Sequence, residues 1–151
     1  MRSGDQLKAL RQVVEVRRIK RAGAETQVAA AERARGELSE RRAAVMNDIA
    51  VEQQRWSEVI AADRFSLPMV GAWSAEVQRN QRRLAQLDAD YGHASTCSAA
   101  ARAAWRLAIG AEDAAHTLVR VAVRRQARGR EEALMTEIGD RSTQVSLSHE
   151  N

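Results

Sequence analysis

Apolar residues recur at alternating intervals of three and four along nearly the whole chain, the spacing of a heptad seam on long amphipathic helices. In the first half the a positions are Leu7, Val14, Arg21, Val28, Arg35, Arg42, Ile49 and Trp56. The d positions are Leu10, Arg17, Ala24, Ala31, Leu38, Val45, Glu52 and Val59, and eleven of these sixteen are apolar. A second seam runs from Val70, Trp73 and Val77 through Leu84 and Leu87 to Trp105, with five consecutive d positions taken by Ala94, Ala101, Ala108, Ala115 and Ala122. Small d residues let two helices approach closely. The only Pro, Pro68, follows Asp63-Arg64-Phe65-Ser66, with Ser66 placed to cap a new helix and Pro68 tolerated in its first turn. The pattern predicts helices over 5–62 and 67–138, each about 80–110 Å long, joined by a turn at 63–66. Ser3 or Asp5 would cap the first. Gly139 reads as a helix stop, and 140–151 as a disordered polar tail. The expected fold is all-α: two long helices in an antiparallel coiled-coil hairpin, one domain over 1–139.

A turn at 63–68 sets a register in which facing residues have numbers summing to about 131. That register tests itself on the charged seam positions. Arg42 should meet Asp88 and Asp90, Glu52 should meet Arg79, and Arg17 and Arg21 should flank Glu112 and Asp113. Arg35 alone is left without an opposite charge. Such pairs act better as register markers than as sources of stability. The same register sets Ile49 against Leu84, Val28 against Trp105, and Trp56 beside Trp73, where the two rings would close the hairpin or, as the second choice, form an exposed hot spot. Glycines inside the helical pattern each cost about 1 kcal/mol relative to Ala. The hairpin should therefore be marginal alone and gain stability from a partner.

Composition narrows the picture. Leu, Ile, Val and Phe make up 29 of 151 residues, while 24 basic and 20 acidic side chains nearly balance. A thick core is excluded, as is a strand-based fold, because Ala, Arg and Glu dominate. No run is long and apolar enough for a membrane span, and no secretory leader is visible. Cys97 is the single cysteine, which excludes an intrachain disulfide and suits a reducing, intracellular compartment. The net charge of +4 hides its own placement. Residues 1–21 carry seven basic and two acidic side chains, and 120–130 carry five arginines and no acid. In the expected hairpin these two stretches lie side by side, giving a cationic end suited to an acidic partner surface or to nucleic acid. No aromatic residue lies there to stack on bases, so nucleic acid is not the expected partner.

Chemistry is scarce. There is no phosphate-binding glycine loop. His93 and Cys97 share a helix face at metal-ligand spacing, but two ligands do not make a site. His116 follows Glu112 and Asp113 without a cleft to work in. No catalytic residue, cofactor or metal ligand is assigned, and the chain is not expected to be an enzyme.

Other features carry a family resemblance. Leu7-Lys8-Ala9-Leu10-Arg11 leads into a long Ala/Arg/Glu helix, and Trp73-Ser74-Ala75-Glu76-Val77-Gln78-Arg79 follows the turn with Leu84 and Leu87. The second helix ends in Arg124-Arg125-Gln126-Ala127-Arg128-Gly129-Arg130-Glu131-Glu132, then Met135-Thr136-Glu137-Ile138. This layout resembles the FliJ/YscO-type stalk proteins of the flagellar and type III protein-export ATPase complex, with Thr136 where the family usually has Asp. The resemblance implies a monomeric coiled coil whose terminal halves enter the pore of a hexameric export ATPase. It also implies contacts with a membrane export gate and with export chaperones, at the inner face of the cell membrane. It assigns Leu7, Leu10, Arg11, Arg124, Arg125 and Arg128 to the ATPase ring, and Val45, Ile49, Trp73 and Val77 to the gate. The alternatives are a basic coiled coil associated with nucleic acid, or a homodimeric scaffold with one nearly continuous helix per chain.

Overall fold

The computed structural model describes residues 3–64 and 66–149. It contains two helices: α1, Ser3–Ala61, with 59 residues, and α2, Leu67–His149, with 83. No strand occurs among the described residues. The fold is the expected all-α helical hairpin.

The turn follows from local chemistry. The Arg64 amide donates to the Val59 carbonyl at 3.2 Å and the Asp63 amide to that of Ile60 at 3.0 Å, while Asp63 adopts φ 53°. This double closure is a Schellman cap, with Asp63 filling the left-handed position that usually demands glycine. At the start of α2 the Ser66 carbonyl accepts the first helical bond, from Val70 at 3.0 Å, which makes Ser66 the N-cap and puts Pro68 in the first turn. Phe65, in the expected turn, lies outside the described residues.

Two helix ends differ from expectation. α1 starts at Ser3, so Asp5 stands in the first turn, complementing the helix dipole rather than capping. α2 does not stop at Ile138; it continues to His149, where a disordered tail was expected. Gly139 has no positive φ, so it is an ordinary helical residue and not a left-handed cap. Glu137 and Arg141 bridge across it at 2.6 Å, in the favourable acid-before-base order four residues apart. Glu150 and Asn151, also in the expected tail, lie outside the described residues.

Packing gathers the chain into two units, Ala24–Trp105 and Met1–Gly23 with Arg106–Asn151. In the Ala24–Trp105 unit α1 and α2 run antiparallel: Glu32 meets Ser98 and Arg102, whereas Arg42, further along α1, meets the earlier Asp88. Their numbers put the register within a few residues of the expected one. Every a and d position of α1 in this unit is at least half-buried, and of those on α2 only Val70 is exposed. Burial is nonetheless narrow. Val45 and Ser98, each 1% exposed, are the fully buried side chains. Near the turn Trp56 and Trp73 stack with centroids 4.8 Å apart and planes 8° from parallel, a pairing worth about 0.5–1.5 kcal/mol beyond its area.

In the unit of Met1–Gly23 and Arg106–Asn151, Arg21 Nε lies 2.8 Å from Glu112 Oε2. The N–H is not aimed along that line, so the contact is an ion pair rather than a hydrogen bond. Ala115 is the buried apolar residue here. Along α2 the seam stays half-buried as far as Gln126, and then Gly129, Ala133 and Thr136 are all exposed.

Candidate functional site

Two surfaces carry the residues singled out from sequence, one in each unit. In the Ala24–Trp105 unit, Ile49, Trp73 and Val77 come together as the apolar floor of a small groove of about 60 Å³, edged by Glu52, Asn80 and Gln81. Val45 does not join them. It is sealed in the seam and presents nothing to a partner. The floor follows from the seam itself: Ile49 and Val77 are a residues and Trp73 a d residue, left partly uncovered where the neighbouring seam positions, Glu52 and Asn80, are polar.

The charged seam positions settle in three ways. Arg42 pairs with Asp88 as expected, while Asp90 instead accepts a 2.9 Å bond from Gln86 on its own helix. Arg79 turns to Glu76, three residues away, and not to Glu52. Among the described residues no ion pair or hydrogen bond reaches Glu52, although it is half-buried. Arg35 has a partner after all, Glu32 at 3.7 Å.

Glu32 is the residue that seam reasoning missed. It lies off the a and d positions, yet it accepts a hydrogen bond from Ser98 Oγ and forms an ion pair with Arg102 Nη2 at 2.5 Å. The Ser98 hydroxyl, with help from Arg102 and Arg35 and against partial desolvation, holds its carboxyl below the usual carboxylate value. The available signal was Ser98 itself, since a polar residue at an a position needs a partner on the facing helix.

In the unit of Met1–Gly23 and Arg106–Asn151, Arg124, Arg125 and Arg128 are exposed and surround a shallow depression on α2 with Val121, Gly129 and Glu132. None of the three makes an ion pair among the described residues. Leu10 and Arg125 share a second depression with Gln6 and Leu118, so α1 and α2 contribute jointly to this basic surface. Leu7 is half-buried in the seam and Arg11 is exposed. Arg17 is exposed and makes no pair, and Asp113 uses its backbone carbonyl to accept from Thr117.

No protein-family model, curated protein or solved structure matches this chain. Its chemistry must be read from its own side chains. Cys97 Sγ lies 3.6 Å from His93 Nε2 on the α2 surface, and His116 Nε2 is 3.8 Å from Glu112. Among the described residues no group of three or more His, Cys, Asp or Glu could hold a metal ion. The two surfaces offer what docking uses, exposed cations on one and a half-open apolar floor on the other.

Proposed function

We propose that this chain is a non-enzymatic coiled-coil stalk of a flagellar or type III protein-export apparatus. In this reading its basic terminal unit inserts into a hexameric export ATPase and couples that ring to the export gate and to export chaperones. The observation that carries the reading is the set Arg124, Arg125 and Arg128: three exposed arginines on one helix that make no ion pair among the described residues, with Arg125 beside Leu10 of α1. Unpaired arginines of this kind are poised for carboxylates on a concave partner, where desolvation strengthens each contact. Leu7, Leu10 and Arg11 extend the same ring-facing surface. Ile49, Trp73 and Val77 are the gate-facing residues. The chain would work in the cytoplasm against the membrane's inner face; among its described residues no helix is long and apolar enough to cross a membrane.

The test is co-purification with the cognate ATPase and stimulation of its turnover. Reversing Arg124, Arg125 and Arg128 together to Glu should abolish both, and should leave the helicity of the chain largely intact because the three residues are exposed. Stimulation that survives the triple reversal would remove the ring-docking assignment.

A further inference from the structure

The groove at Ile49, Trp73 and Val77 has a charge that the fold leaves unanswered. Glu52 occupies a d position, half-buried, on a seam where the other half-buried charged residues have opposite charges beside them: Arg42 with Asp88, Arg21 with Glu112 and Arg35 with Glu32. The cation that the register brings towards it, Arg79, is held by Glu76 instead. A half-buried carboxylate at the edge of an apolar floor attracts a cation, and a cation brought there is partly shielded from solvent. Beside it stand the side-chain amides of Asn80 and Gln81, whose carbonyl oxygens accept N–H donors.

We infer that this groove is a docking site for a lysine side chain presented by a partner protein. Its chemistry fits in three respects. The aliphatic stem lies on Ile49, Val77 and the Trp73 ring, as lysine stems do on apolar surfaces. The ammonium reaches Glu52, with Asn80 and Gln81 to take its remaining donors. The volume of about 60 Å³ holds roughly four to six water-sized groups. Lysine brings its charge as a compact, mobile ammonium at the end of a linear aliphatic stem, the shape of an apolar floor with a carboxylate at its edge. The inference rests on the groove alone and does not require the partner to be an export component.

The Trp73 indole N–H, buried without an acceptor, provides a local reporter in two-dimensional NMR, assigned by its loss in Trp73→Phe. The intact protein would be titrated with N-acetyl-lysine N-methylamide, with the norleucine analogue, which keeps the stem and lacks the ammonium, and with the glutamate analogue. The lysine compound should move the Trp73 resonance saturably with a millimolar midpoint. The norleucine compound on the wild type, and the lysine compound on Glu52→Gln, should each bind about three- to tenfold more weakly. The glutamate compound should not bind. Thermal unfolding of Glu52→Gln at or above the wild-type midpoint would show that the variant is folded. No saturable shift, equal midpoints for lysine and norleucine, an unchanged midpoint in Glu52→Gln, or binding of the glutamate analogue would each overturn the inference. Because the titration needs no ATPase, its failure is separate from failure of the stalk reading.

Discussion

The two units are built from the same helices but hold them together differently. In Ala24–Trp105 every seam position but Val70 is at least half-buried, and the seam carries fixed points: the Glu32–Ser98–Arg102 cluster, the Arg42–Asp88 pair, the buried Val45 and the Trp56–Trp73 stack. The unit of Met1–Gly23 and Arg106–Asn151 has the Arg21–Glu112 pair and Ala115, and beyond Gln126 its α2 segment is exposed on every face as far as Gly139. Large apolar side chains face solvent in both units, Leu67 at 89% in the first and Met135 at 73% in the second, but they are more numerous in the second. A helix without a packed face has little beyond intrinsic propensity to hold it, and in water propensity is marginal. The first unit is therefore the one whose sequence is committed to itself. The second keeps its arginines and apolar side chains available.

Core deletion should separate the units most sharply. Val45→Ala removes two methyl groups from a sealed position and should cost about 2 kcal/mol in chemical denaturation. Val13→Ala makes the same chemical change on an exposed face of α1 and should stay within about 0.5 kcal/mol. Equal costs would mean that the seam difference has no energetic content.

The next contrast is in pH. Glu32 titrates lower in the folded chain than in the unfolded one, chiefly because Ser98 donates to its carboxylate. Its contribution is complete above the ordinary carboxylate range, where it is ionised folded and unfolded alike. As pH falls the unfolded chain takes up the proton first, and the contribution is lost once pH has passed below the folded value as well. Glu32→Gln should therefore melt below wild type at neutral pH, with the gap narrowing as acid is added. A gap that stays constant with pH would show that the charge of Glu32 is irrelevant to the cluster.

How much of this was legible in the sequence depends on how far apart the interacting residues lie. Heptad spacing placed the seam of α1 with the single exception of Arg17, because apolar periodicity reports burial directly. The turn was equally plain, since Ser66 and Pro68 act through their own backbone. Cross-helix pairing was less so. Arg79 had an acid three residues away as well as one across the seam, and the near neighbour costs less ordering of the chain to reach. Glu32 was signalled only indirectly, through the polar Ser98 at an a position: it reaches into the seam from beside it, and a heptad template counts only positions that point inward. The helix past Gly139 was missed because Gly lowers helix propensity by about 1 kcal/mol without forbidding the conformation. Of the two surfaces, charge counting located the arginines. The unpaired state of Glu52 needed coordinates, because the register aims Arg79 at it and Arg79 meets Glu76 instead.

The smallest effect is also the most discriminating, because it uses one substitution in two settings. Gly92 and Gly129 are both inside α2, and a methyl group added at either would meet no atom within 4 Å. Replacing either by Ala should stabilise its local helix by up to about 1 kcal/mol. The consequences should then diverge. Gly92 lies in a segment whose seam is closed, so Gly92→Ala should raise the cooperative melting midpoint by a few degrees. Gly129 begins the fully exposed stretch of α2, where helix formation is not coupled to packing. Gly129→Ala should raise helical content by circular dichroism at low temperature and slow amide exchange in 127–139, while leaving the cooperative midpoint where it was. A midpoint that rises equally for both would mean that the α2 terminus folds as one body with the closed seam, and the basic segment would then be a rigid extension rather than a helix that a partner completes.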